Sequence, residues 1–151
     1  MEGTFGHEKC FAMARQTKTT TLRPVVFDTD ILIWYFRGYG QARSFLEQTE
    51  RDRRWISSLT LMELMQGCRT QSESLDVQTF VAENVSRILH PKTSISEKAI
   101  HLVDQFALSH GLRVIDAIIA ASALLHRASL VTGNVRHFRF IPGLQVQTFV
   151  P

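Results

Sequence analysis

From Pro24 onward, short unbroken apolar runs alternate with longer stretches in which apolar residues recur every three or four positions. The short runs predict strands at 25–27, 55–57, 88–89 and 130–132, with a last, alternating strand at 144–150. The longer stretches predict helices. The first starts near Asp30, which has the chemistry to cap it, and breaks at Gly38 and Gly40; the second starts near Gln41, with Ala42, Phe45, Leu46 and Thr49 on one face. A third, capped by Ser58 or Thr60, carries Leu61, Met62, Leu64 and Met65 and weakens at Gly67. A fourth runs from about Glu73, with Leu75, Phe80, Val81 and Val85 as its apolar positions. Ser94-Ile95-Ser96-Glu97 has capping-box spacing and opens a fifth helix that Gly111 ends. The sixth, 114–127, is apolar almost all round, which predicts a helix buried at the centre of the domain.

This order, a strand followed by two helices three times over and then late strands, predicts a parallel α/β sandwich. A strand with no polar residue, such as Val25-Val26-Phe27, is expected to be buried on both faces. Asp28 then emerges at the carboxyl edge of the sheet, where folds of this class place their ligands.

Composition narrows the picture. A chain of 151 residues with 44% hydrophobic content can build one core, and residues 24–151 are expected to form one domain. Residues 1–23 are polar and rich in threonine, without periodicity, and are expected to be a disordered leader. No apolar stretch is long enough to span a bilayer, so a soluble, cytoplasmic protein with no membrane partner is expected. Cys10 and Cys68 lack metal-ligand spacing and predict no structural disulfide. The net charge is only +3, but 13 of the 17 basic residues are arginine, which suits phosphate and carboxylate partners. After Asp116 no acidic residue occurs, so any carboxylate site must be assembled from earlier positions.

Three acids occupy apolar settings: Asp28 at a strand end, Glu63 within Leu-Met-Glu-Leu-Met, and Asp116 at the start of the sixth helix. On a parallel sheet the strand edge and the first turns of two helices can converge. Converging carboxylates raise one another's pKa unless a cation neutralises them, and an oxygen-only donor set favours a hard ion, Mg²⁺ or Mn²⁺. Singly, each acid also has an ordinary explanation. Asp28 or Asp30 can cap a helix, Glu63 can be a partly exposed helix residue, and Asp116 in a first turn gains roughly 0.3 to 1 kcal/mol from the helix dipole.

Order and context make the set specific. The runs Val26-Phe27-Asp28-Thr29-Asp30-Ile31-Leu32-Ile33, Ser57-Ser58-Leu59-Thr60-Leu61-Met62-Glu63-Leu64, Gly111-Leu112-Arg113-Val114-Ile115-Asp116-Ala117-Ile118-Ile119-Ala120 and Leu130-Val131-Thr132-Gly133-Asn134-Val135-Arg136-His137-Phe138 resemble the PIN-domain ribonucleases, most closely the VapC-type toxins of bacterial toxin–antitoxin pairs. The resemblance spans residues 24–150 and implies a PIN-like three-layer α/β/α sandwich around a mostly parallel sheet. It further implies a metal-dependent endoribonuclease that hydrolyses RNA phosphodiesters with Mg²⁺ or Mn²⁺. Asp28 and Asp116 would be the principal ligands, and Glu63 would bind the ion or orient a water. Relatives often carry a fourth acid 18 residues beyond the third; here Asn134 stands there, which implies one ion rather than two. Thr132 matches a supporting hydroxyl residue, Asp30 is a candidate for support or for the helix cap, and His137 stands where many relatives have another acid. Arg136, His137 and Arg139 are weaker RNA-binding candidates, with Arg37, Arg43, Arg51, Arg53 and Arg54 if they face the cleft. The resemblance also implies a cognate VapB-type antitoxin and a homodimer, for which Trp34-Tyr35-Phe36 and the Leu61–Met65 region offer apolar surface.

Two other readings compete, and the first fails. Asp28-Thr29-Asp30 is also similar to the acidic pair of haloacid-dehalogenase-like phosphatases, but Ile31-Leu32 replaces their Gly-Thr and no late acidic pair follows. A non-catalytic PIN-like module that binds RNA or protein is the alternative of a different class, and Asn134 favours it.

Overall fold

The computed structural model describes residues 22–151; the expected leader lies outside them except for its last two residues. Five strands form one sheet: β1 (Val25–Phe27), β2 (Arg54–Ser57), β3 (Arg87–Leu89), β4 (Ser129–Thr132) and β5 (Gln145–Thr148). Their spatial order is β3-β2-β1-β4-β5, and every neighbouring pair is parallel. Six helices connect them: α1 (Thr29–Phe36), α2 (Gly40–Gln48), α3 (Ser58–Gln66), α4 (Gln71–Asn84), α5 (Thr93–His110) and α6 (Val114–Leu125).

Alternation along β1 builds the layers. Val25 and Phe27 join a core with Ile31, Leu46, Leu64 and Phe80 from α1 to α4, whereas Val26 joins Ala99, Leu102, Ala117 and Ala120 from α5 and α6. All three strand residues are buried, as expected for a central strand covered on both faces. The chain builds outward from β1 to β2 and β3, then crosses back to lay β4 on the other side of β1. The carboxyl ends of β1 and β4 therefore flank a topological switch point, where open parallel sheets form their crevice.

Several local expectations change. Asp28, not Asp30, caps α1, its side chain accepting the Thr29 N–H, and Ser57 rather than Ser58 or Thr60 caps α3. The box at Ser94–Glu97 does not form; α5 starts after Lys92 without a side-chain cap. A related arrangement appears instead at α4, where Thr70 accepts the Glu73 N–H and the Glu73 carboxylate accepts the N–H of Arg69, the residue before the cap. That helix buries Val77, Phe80 and Val81, while Leu75 is exposed. α6 is not enclosed all round: Val114 and Ile115 in its first turn and Leu125 in its last are exposed. Apolar character at a helix end marks a surface here, not a core.

Candidate active site

Asp28 ends β1 at the switch point and is only 7% exposed. Its position is fixed through the backbone, because the Asp28 N–H donates to the Val131 carbonyl of β4. One carboxylate oxygen accepts the Thr29 N–H and the other accepts the Thr132 hydroxyl, each at 2.8 Å. Thr132 is fully buried, and its oxygen in turn accepts the Asn134 N–H at 2.9 Å. Thr132 thus supports the acid, as expected. The Asn134 side chain is at the surface, and its backbone does the bonding.

Asp30, in the first turn of α1, reaches across to the loop after β4, where its Oδ2 accepts the Gly133 N–H at 2.8 Å. Its Oδ1 is buried without a hydrogen-bond partner among the described residues. Asp30 is therefore no helix cap but a link between α1 and the β4 turn.

Glu63 and Asp116 complete the carboxylates from the flanks. The Thr29 hydroxyl donates a short hydrogen bond to Glu63 Oε2 and also meets the Thr60 hydroxyl at 3.3 Å. Asp116, in the first turn of α6, lies 3.5 Å from His137 Nδ1. Sequence patterns offered Thr60 only as a helix cap and did not point to Thr29 or Gly133; the roles of all three depend on contacts between distant segments. Arg113, just before α6, was also unforeseen; it acts on the Asp116 charge.

The electrostatics mark these acids as one group. Burial pushes the Asp28 carboxyl up to about 7, and the charges of Asp30 and, less strongly, Asp116 add to the effect against the Thr132 and Thr29 hydrogen bonds. Burial also raises Asp30, opposed by the Gly133 and Ile31 N–H groups, although only the Gly133 N–H makes a bond of good geometry. Asp116 is raised by burial, with His137 and Arg113 pulling the other way and Glu63 adding repulsion.

In their present positions no three His, Cys, Asp or Glu side chains among the described residues lie close enough to hold an ion together. Glu63 is drawn to Thr29 and Asp116 to His137, so the acids share one field without sharing one point. The donors nonetheless fit a hard divalent ion in kind. They are all carboxylates, they mutually oppose ionisation, and one buried oxygen, Asp30 Oδ1, has no partner.

The basic residues divide sharply. Arg136 and Arg139 are exposed on the loop after β4, with His137 between them against Asp116. Arg51, Arg53 and Arg54 lie at the start of β2, the opposite edge of a parallel sheet, where their guanidinium groups bond the carbonyls of Glu83, Arg23 and Thr49. Arg43 pairs with Glu47 on α2. Arg51, Arg53 and Arg54 therefore do not line the cleft. Arg37 does border a groove of about 670 Å³ beside α1, α3 and α4, which also exposes Ile33 and Phe36 and has Glu63 in its wall.

The PIN-domain family model matches residues 25–142. The chain belongs to the PIN-domain family. The match takes in β1 to β4 and all four acids of the site. Among individual relatives, this PIN domain is 33% identical over 131 residues to Ribonuclease VapC19 of Mycobacterium tuberculosis, covering 80% of this chain and 96% of the relative. It is 32% identical over 130 residues to Ribonuclease VapC10 of the same species, covering 84% of this chain and 95% of the relative. Among solved structures, a toxin-antitoxin complex from Klebsiella pneumoniae matches with a TM-score of 0.69 at 33% identity, covering 82% of this chain and 96% of that one.

Proposed function

We propose that this PIN domain is a metal-dependent endoribonuclease that hydrolyses RNA phosphodiester bonds as the toxin of a VapBC-type toxin–antitoxin pair. The observation that carries the reading is the gathering of Asp28, Asp30, Glu63 and Asp116 around the carboxyl end of the central strand, in a chain similar over nearly its whole domain to named ribonucleases. Asp28 and Asp116 would hold Mg²⁺ or Mn²⁺, with Glu63 a third donor. Once bound, such an ion supplies charge neutralisation and Lewis acidity for phosphodiester hydrolysis.

The chain's own residues prepare that chemistry. Thr132 holds one oxygen of Asp28 and leaves the Asp28 carboxylate fixed between β1 and β4. Thr29 holds Glu63 ready beside it. Arg136 and Arg139 lie on the loop beside the acids, and arginines so placed attract phosphates without choosing a sequence. An antitoxin partner is supported by the similarity to a toxin-antitoxin complex and by the groove whose exposed Ile33 and Phe36 lead to Glu63. A homodimer and a cytoplasmic location belong to the same reading; Met62 and Met65, exposed on α3, add apolar surface for a contact. No helix among the described residues is long and apolar enough to cross a membrane.

The non-catalytic alternative draws on Asn134 and on the splayed positions of Glu63 and Asp116. A cleavage assay separates the two. Purified protein free of antitoxin, incubated with a structured RNA mixture, is expected to cut with Mg²⁺ or Mn²⁺, to stop in EDTA, and to lose more than about a hundredfold in rate as Asp28→Asn or Asp116→Asn. Absence of any cutting, together with metal-independent RNA binding, would establish the binding module instead.

A further inference from the structure

Asn134 leaves the site one carboxylate short of the fuller pattern, and a different element brings a carboxylate to the same turn. Asp30 lies in the first turn of α1 yet its Oδ2 is held at 2.8 Å by the N–H of Gly133, the residue next to Asn134. Its other oxygen is buried and has no partner among the described residues. The charge of Asp116 acts on Asp30, and that of Asp30 acts on Asp28.

Gly133 is shaped around this carboxylate. A Cβ at 133 would stand 2.7 Å from Asp30 Oδ2. Gly133 is absent from the residues of positive φ, so space beside Asp30, not backbone conformation, accounts for a glycine there. A purely structural role would explain half of the arrangement. A first-turn acid gains from the helix dipole, and a tether to Gly133 steadies the loop. Asparagine would tether equally well without adding charge beside Asp28, and neither benefit uses the buried, partnerless Oδ1.

We propose that Asp30 serves as the fourth acidic donor of the site, a direct ligand of the divalent ion through Oδ1, in place of the acid that Asn134 lacks. The proposal rests on the metal-dependent reading of the site given above. It makes the ion-holding set Asp28, Asp30 and Asp116, with Glu63 at its side, and draws two of the four donors from the first three residues after β1.

The test is Mn²⁺ binding to the full chain, measured by calorimetry and by the paramagnetic resonance of unbound Mn²⁺, for the wild type, Asp28→Asn, Asp30→Asn, Asn134→Asp and the double variant Asp30→Asn with Asn134→Asp. Asparagine at 30 keeps an acceptor for the Gly133 N–H and removes only the charge. Asp30→Asn is expected to weaken Mn²⁺ binding at least about tenfold, and Asn134→Asp to restore most of that loss in the double variant. Wild-type-like binding by Asp30→Asn, with binding lost in Asp28→Asn, overturns the role of Asp30 and spares the metal reading. A loss in Asp30→Asn that Asn134→Asp does not recover overturns the substitution of one acid for the other. No Mn²⁺ binding by the wild type at millimolar concentration overturns both readings together.

Discussion

The two halves of the acidic site are built differently. Asp28 and Asp30 sit at the junction of β1, α1 and the β4 turn, held mainly by backbone groups, the Thr29 N–H, the Gly133 N–H and the ladder bond from Asp28 to Val131, together with the buried Thr132 hydroxyl. Glu63 and Asp116 approach from α3 and α6, held only by side chains, a threonine hydroxyl and a histidine ring. The ladder bond comes with the sheet, and the Thr29 and Gly133 N–H groups are donors fixed in the backbone; the Thr29 hydroxyl and the His137 ring can turn away through a rotamer change. The inner pair is thus a firmly held platform whose charge burial opposes, and the outer pair is held less firmly. That division accounts for acids that repel one another across the cleft without forming a finished ligand set.

The largest expected effect tests the buried charge in the firmly held half. In metal-free protein the Asp28 carboxyl is pushed up to about 7 from an ordinary 3.8. Between those values the folded chain holds a proton that the unfolded chain has released, so this group's stabilisation is present at low pH and is lost as pH rises through 7. At about 1.4 kcal/mol per unit, the loss across the window is on the order of 4 kcal/mol. Denaturant unfolding in EDTA at pH 5 and pH 8 spans about two of those units and is expected to show a fall of about 3 kcal/mol in the wild type and a much flatter response in Asp28→Asn. Equal slopes in the two proteins would mean that burial does not oppose the charge of the platform, and the contrast between the halves would fail. Saturating Mn²⁺ should recover stability chiefly at the higher pH, where the carboxylates are ionised.

A smaller effect tests whether Gly133 and Asp30 act as a unit. Gly133→Ala places a methyl group 2.7 Å from Asp30 Oδ2, whereas the next neighbour, the Phe149 carbonyl, is at an ordinary 3.5 Å. The substitution is expected to destabilise by about 1 to 3 kcal/mol. Asp30→Ala removes the obstructing oxygen, so a double-mutant cycle should return a coupling of about 1 kcal/mol or more. Additive effects would show that the glycine is required for some other reason.

How much of this was legible in the sequence follows the same division. Asp28 and Asp116 stood out because each interrupts an apolar element, and the strand-helix rhythm fixed the parallel sheet that makes their approach possible. The supporting contacts were hidden, since Thr132 and Asp28 are separated by 104 residues and Gly133 and Asp30 by 103. A period-based reading places residues on faces but not at edges, which is why Arg51, Arg53 and Arg54 passed as cleft candidates while lying at the far end of β2. It also equates apolar with buried, and so enclosed the two exposed ends of α6. At Ser94–Glu97 the capping-box letters were present, but the helix began one position before Ser94.

The smallest expected effect lies in the adjustable half, at His137. Its side chain is 37% exposed and faces Asp116 at 3.5 Å, a distance at which a half-solvated pair contributes little, about 0 to 1 kcal/mol. His137→Ala is expected to shift the thermal midpoint by no more than about 4 °C. If His137 merely parks Asp116 in the absence of a cation, releasing it should leave Mn²⁺ affinity unchanged or slightly stronger, since a competing partner for the carboxylate is gone. A clear weakening of Mn²⁺ binding in His137→Ala would place the histidine inside the working set, and the outer half of the site would then be as firmly built as the inner one.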